Sequence, residues 1–245
     1  MARLPRLAVA GLAHLVTLAG LGVPGGAGQR VFVDDEDRQA FVHALREAVV
    51  PRRVAVLGWT LADDHVHLLL RPEVAAELSA AMQALGRRYV AGFNRRHGRS
   101  GTLWAGRYRA AVVQPGAPLL EALLFIDGHA WRSGRVEAPQ ADRWSSVRHH
   151  LGLQRDPLVT EGPDWWALGN TPFEREAAWR ARLDEGLSRE RLAALSAASR
   201  GGWALGDAAF LAGLAGLGEG AARPLQPRPR GRPAKTAGGP GGRTA

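Results

Sequence analysis

The triplet His65-Val66-His67 opens an apolar run, Leu68-Leu69-Leu70, and it constrains this chain more than any other feature. On an extended strand successive side chains alternate faces. His65 and His67 therefore point the same way and can share one divalent cation, while Val66 points into a core. The run Val54 to Leu61 lies just upstream, and the link Ala62-Asp63-Asp64 is short enough for a hairpin. A histidine pair on a buried strand still has a plain alternative: two half-buried imidazoles with hydrogen-bond partners.

The surrounding pattern predicts a strand over 6–20, an acidic helix start at Asp34-Asp35-Glu36-Asp37 continuing through Phe41, Leu45 and Val49, and the hairpin strands. A long helix over 74–96, a strand over 102–113, a helix from Pro118 through Leu120, Leu124 and Trp131, and a short helical stretch at 143–151 follow. The order strand–helix–strand–strand–helix–strand predicts an α+β sandwich, one antiparallel sheet covered by helices on one face. Three segments are expected: 1–152 as the main domain, 153–222 as a helical extension, and 223–245 as a disordered basic tail.

Charge points to a partner. The formal net charge is +9, and 223–245 holds six basic residues and no acidic one. Residues 1–152 carry 19 basic against 13 acidic groups, whereas 153–222 carry 7 against 10. A basic body with a basic tail suggests a polyanion, nucleic acid foremost. Cysteine is absent, which excludes disulfides and thiolate metal sites and fits the cytoplasm. His14 interrupts the first apolar run, and no stretch approaches the ~20 apolar residues of a membrane span, so that run reads as a strand and no membrane partner is expected.

A third ligand is available downstream. Glu121, Phe125 and His129 are spaced by four and share a helical face. His129 completes a three-histidine set or is a surface residue beside Trp131. Glu121 is an oxygen ligand or a solvated charge. Between Arg87 and Arg109 lie seven arginines and no acidic residue, interleaved with Tyr89, Phe93, Trp104 and Tyr108. Arginines on phosphates and aromatics on unpaired bases suit single strands. Tyr89 and Phe93 read as core. Arg95, Arg96 and Arg99, with Arg107 and Tyr108, are the DNA candidates, although Tyr108 reads equally as packing. In the tail, Pro229-Arg230-Gly231-Arg232-Pro233 is either an AT-hook core, with Arg230 and Arg232 entering a minor groove, or a non-specific basic tail. Trp165, Trp166, Trp179 and Trp203 read as packing for the C-terminal helices, and the adjacent His149 and His150 as surface residues.

The chain resembles the REP-associated tyrosine transposases, relatives of the single-tyrosine HUH transposases. The matching residues are His14-Leu15-Val16-Thr17 with Gly20, Asp34 to Arg38, Asp64 to Leu69 as the HUH motif, Phe93 to Gly101, Leu103-Trp104 with Gly106-Arg107-Tyr108, Arg132 and Gly134, and Trp144-Ser145-Ser146. Leu205-Gly206-Asp207 with Phe210, and Gly231-Arg232-Pro233, match toward the C-terminus. The resemblance implies a ferredoxin-like HUH fold acting on single-stranded DNA beside a hairpin, with Mg²⁺ or Mn²⁺ on the histidine pair and a helix-borne tyrosine that attacks a backbone phosphate to leave a 5′-phosphotyrosine. It also implies a cytoplasmic, nucleoid-associated protein. Counting back from Arg132 and Gly134, the nucleophile position holds Phe125, and the family's asparagine four residues later falls at His129. Phenylalanine has no hydroxyl. Three readings stand: a DNA-binding remnant without cleavage, a nuclease using metal-activated water, or a shifted register in which Tyr89 reaches the metal.

Overall fold

The structure, a computed structural model, describes residues 7–22, 29–217 and 225–226. Arg230, Arg232 and nearly all of the predicted tail lie outside the described residues.

Four strands form one antiparallel sheet in the order β2-β3-β1-β4: β1 Ala13–Ala19, β2 Val54–Leu61, β3 His65–Pro72 and β4 Arg109–Val113. Helix α1 (Asp35–Val49) joins β1 to β2, and α2 (Ala75–Arg96) joins β3 to β4. This is the α+β element order the sequence predicts, in the ferredoxin-like arrangement the resemblance implies. Asp34 caps α1 by accepting from the Asp37 amide at 3.1 Å, and three acidic residues in the first turn complement the helix dipole.

Strands β1 and β4 are shorter than their sequence patterns. β1 begins only at Ala13, after Gly11 turns the chain at φ +74°. β4 begins at Arg109 because Gly101 and Gly106 sit at φ +84° and +151° and break the extended run. Trp104 makes only an isolated bridge to Gly20.

The expectation of helices on one face is corrected. Helices α1 and α2 cover the face toward which Val16, Val66, Leu68 and Leu70 point, and their Phe41, Leu45, Leu78, Leu85 and Tyr89 fill that core. The opposite face, with Leu15, Leu57 and Leu69, is covered by α3 (Ala117–Asp127) and later helices. Short helices α4 (His129–Arg132), α5 (Val147–His150) and α6 (Pro163–Trp166) precede α7 (Pro172–Glu185), α8 (Arg189–Gly201) and α9 (Ala208–Gly216). A strand buried on both faces reads as a continuous apolar run, and Leu68-Leu69-Leu70, all fully buried, is that signal. Some residues beyond 153 contribute to this second layer: Trp179, Leu183 and Leu195 pack in one cluster with Leu15 and Leu69. Full burial of one such side chain contributes roughly 1.5–3 kcal/mol.

The helix after Pro118 ends at Asp127, and Gly128 separates it from α4. A side chain at Gly128 would collide with the Arg132 guanidinium. That guanidinium folds back to donate to the carbonyls of Leu124 and Phe125, satisfying the end of α3. Gly58, beside a bulge in β2, likewise leaves room for Leu123 of α3 to approach the sheet.

Candidate metal centre and DNA interface

Strand alternation puts His65 and His67 on the α3 face of the sheet, and the break at Gly128 turns His129 toward them. The Nε2 atoms of His65 and His129 are 3.0 Å apart. The three ring centroids lie 4.8–5.2 Å from one another. One nitrogen from each histidine falls within 4.8 Å of the others, a spacing one ion can bridge. Burial holds the His67 imidazole well below its usual pKa and takes His129 down to about 3. Both rings are therefore neutral at physiological pH, the state in which imidazole ligates a metal.

The neighbouring groups decide which nitrogen each ring offers. His65 Nδ1 donates to Asp64 Oδ1 at 2.6 Å, leaving Nε2 for a ligand. His67 Nδ1 lies 2.9 Å from Thr17 Oγ1, its cross-strand partner on β1, and can donate there. Both match the way proteins orient metal-bound histidines through the opposite ring nitrogen. The hydroxyl of Thr60, opposite His67 on β2, is buried and has no hydrogen-bond partner among the described residues. His129 differs. Arg135 Nη2 lies 3.3 Å from its Nδ1, and arginine can only donate. His129 Nδ1 must accept, so Nε2 carries the proton and donates to His65. The donor set thus fits an ion on His65 and His67, and His129 joins only if Arg135 withdraws.

Phe125 packs against this cluster, its ring 5.3 Å from His67 and 6.3 Å from His129. The Arg132 guanidinium lies 5.1 Å from the Phe125 ring centroid, and burial lowers its pKa to about 10. Glu121 is not near the histidines' ligating atoms. It accepts from Arg191 Nε of α8 at 2.8 Å, so neither the ligand nor the solvated-charge reading holds.

Neither tyrosine is near this site. Tyr89 is buried in the α1/α2 core and donates to the Val31 carbonyl. Tyr108 lies in the same core with its hydroxyl 2.9 Å from Ser79 Oγ, so of its two readings the structure places it as packing. The shifted-register reading through Tyr89 is overturned, because the sheet stands between that hydroxyl and the histidines.

The family model of IS200-like transposases matches residues 28–121. Over that stretch the chain is similar to the IS200-like transposases. The matched IS200-like segment includes His65-Val66-His67 and ends before Phe125 and His129. The fold is similar to that of a REP-associated tyrosine transposase solved bound to a REP hairpin, with TM-score 0.52, 14% identity, and 67% of this chain and 93% of that chain covered. A candidate transposase from Deinococcus radiodurans R1 aligns with TM-score 0.34 and 19% identity over 56% of this chain and 96% of its own. No curated protein matches. Among the described residues no helix is long and apolar enough to cross a membrane.

The arginine candidates separate into two kinds. Arg95 and Arg107 are exposed and form no ion pair among the described residues. Arg96 is held by Asp34, Glu36 and Asp37 at 2.6–2.8 Å, which raises its pKa further and consumes its charge. Arg99 lies 5.6 Å from the Phe93 ring centroid.

Sequence reading missed a second polar cluster. Asp127, fully buried at the end of α3, accepts from Ser146 Oγ, His150 Nδ1 and Trp179 Nε1 at 2.7, 2.7 and 2.9 Å. His150 is therefore a core residue, contrary to the surface expectation, and Trp179 is fully buried. Trp166 is 53% exposed and departs from the packing expectation. Asp64 could have been noticed from its adjacency to His65; Arg135 carries no sequence signal, since the turn after α4 alone brings it to His129.

Proposed function

We propose that this chain is a transposase-family protein that engages single-stranded DNA beside a hairpin at a metal-dependent HUH site, and that Phe125 makes it a binder rather than a cleaver. The observation that carries this reading is the Phe125 ring seated against His67 and His129, where the family resemblance calls for a tyrosine, with both tyrosines of the chain on the far side of the sheet. A divalent ion, when bound, would act as a Lewis acid on a backbone phosphate. His65 and His67 would hold it through Nε2, oriented by Asp64 and Thr17. Two imidazole nitrogens offer little of the oxygen-rich coordination Mg²⁺ favours, which makes Mn²⁺ the better fit of the two. Arg95, Arg99 and Arg107 would track the strand, with Arg230 and Arg232 adding tail contacts, in a cytoplasmic, nucleoid-associated setting.

The test is a denaturing gel with a labelled hairpin flanked by single strands, Mn²⁺, and wild type or Phe125→Tyr. The expected result is a covalent adduct for the tyrosine variant alone. Cleavage by wild type without an adduct would overturn the reading in favour of a metal-activated water.

A second reading has its own observation. The hydrogen-bonded series Asp64, His65, His129, Arg135 already satisfies the site without an ion. It favours a DNA-binding regulatory remnant that has lost the metal too. Calorimetry with Mn²⁺ separates the two: binding by wild type that is lost in His65→Ala supports the HUH site, and no heat from either supports the remnant.

A further inference from the structure

β2 is an edge strand, and its exposed backbone is covered by the segment that follows α4. The Leu61 amide donates to the Trp144 carbonyl, Ser146 to Trp59, and Thr160 to Val56. Between this covering segment and α1 lies a cleft of about 400 Å³. Trp59 on its wall belongs to the α1/α2 face of the sheet, so the cleft opens away from the histidine cluster.

Its lining is basic and aromatic. Arg46, Arg143, Arg148 and Arg155 converge on it together with Trp59 and Trp144. Arg46 and Arg155 are exposed and make no ion pair among the described residues. The Nε of Arg148 is buried and has no hydrogen-bond partner there. Arg143 is only loosely engaged, 3.6 Å from Asp35 and 5.9 Å from the Trp144 ring. The one acidic lining residue, Asp156, is committed to Trp59 Nε1 and the Leu158 amide at 2.8 and 2.9 Å. A buried guanidinium nitrogen lacking an acceptor carries a desolvation cost that an anion would relieve. Planar guanidinium groups match phosphate oxygens, and a half-buried indole offers a face for a base. A volume of this size admits one nucleotide unit.

We propose that this cleft is a second DNA contact, separate from the histidine centre, which seats one unpaired nucleotide and the phosphates flanking it on Arg148 and Arg155 against Trp144. The inference rests on the DNA-binding reading above. It gives the β2 edge a role the histidine site does not supply: holding the strand at a fixed distance from the place where chemistry would occur.

The experiment uses the full chain and a fluorescein-labelled single strand of thymidines with one 5-bromouracil. Affinity is measured by anisotropy across salt for wild type, Arg148→Gln/Arg155→Gln, Arg155→Glu and Arg95→Gln, with thermal melts confirming that each is folded. Loss of two phosphate contacts reduces the slope of log affinity against log salt by roughly 1.4, and the expected affinity loss for the double variant is about tenfold or more. Arg155→Glu, at an exposed position, serves if the double variant does not fold. Irradiation of wild type is expected to cross-link within residues 143–158. Unchanged affinity and slope in the cleft variants, or cross-links confined elsewhere, overturn the second contact while leaving DNA binding intact. Failure of wild type to bind the strand at all defeats the DNA reading and this inference with it.

Discussion

The two faces of the sheet were built from different materials. The α1/α2 face is closed by helices adjacent in sequence to the strands they cover, and it is filled by aromatics: Phe32, Phe41, Tyr89 and Trp104 meet at centroid distances of 5.1–6.4 Å. The α3 face is closed by segments drawn from the last half of the chain and contains the polar groups that matter: the histidine triad, Asp127, His150 and Trp179. Alternation along β3 sorts the two, sending Val66, Leu68 and Leu70 one way and His65 and His67 the other. The difference teaches why neither tyrosine reaches the place Phe125 occupies beside the histidines. Both belong to the face that carries packing, and a change of register would not move them through the sheet.

This contrast can be broken in several places. The largest effect is expected at Trp179, which is fully buried and holds Asp127. Trp179→Ala should cost about 3–5 kcal/mol in urea unfolding, and a loss below about 1 kcal/mol would show that the late helices are not part of this core. Next comes acid. Burial holds His14 at about 4, below its ordinary 6.5. The unfolded chain therefore binds the extra proton first, so the stabilising contribution is complete above pH 6.5 and is lost as pH falls toward 4, by about 3 kcal/mol. His67 and His129 act with the same sign. Comparing denaturation of wild type and His14→Gln at pH 7 and pH 4.5 isolates the His14 share as a shallower pH dependence in the variant.

Tyr89→Phe removes one donor to the Val31 carbonyl and should destabilise by about 1–2 kcal/mol. It should leave Mn²⁺ binding unchanged, and it should leave adduct formation by Phe125→Tyr unchanged; a drop in that adduct yield would reopen a role for the Tyr89 hydroxyl. The smallest effect sharpens the candidate metal site. Arg135→Ala frees His129 Nδ1, allows the tautomer that exposes Nε2, and removes a positive charge beside the site. Mn²⁺ affinity at pH 7.5 should rise several-fold by calorimetry, whereas equal or weaker binding would mean that His129 is a hydrogen-bond partner of His65 and not a ligand.

The arginines illustrate how far composition can be taken. Seven of them lie without an acid between Arg87 and Arg109, and the pattern singles out Arg95, Arg96 and Arg99 at the helix end as DNA candidates. Linear sequence could not reveal that Asp34, Glu36 and Asp37, about 60 positions away, fold back onto Arg96. The same residues that make a good helix start for α1 neutralise the end of α2. Arg95, one position along, turns outward and keeps its charge. The His150 expectation failed for a related reason: adjacent residues on a helix do diverge, but α5 is covered on one side by α7, so only His149 stays near the surface.

By itself the sequence determined the element order, the antiparallel hairpin and the shared direction of His65 and His67, because each follows from local periodicity. Tertiary structure alone decided that both faces of the sheet are covered, that His129 meets His65 across a helix break, that Arg135 competes for its ring, and that four arginines converge on a cleft at the β2 edge. Those are distances between segments far apart in the chain, set by how the helices pack on the sheet, and no periodicity within a segment records them.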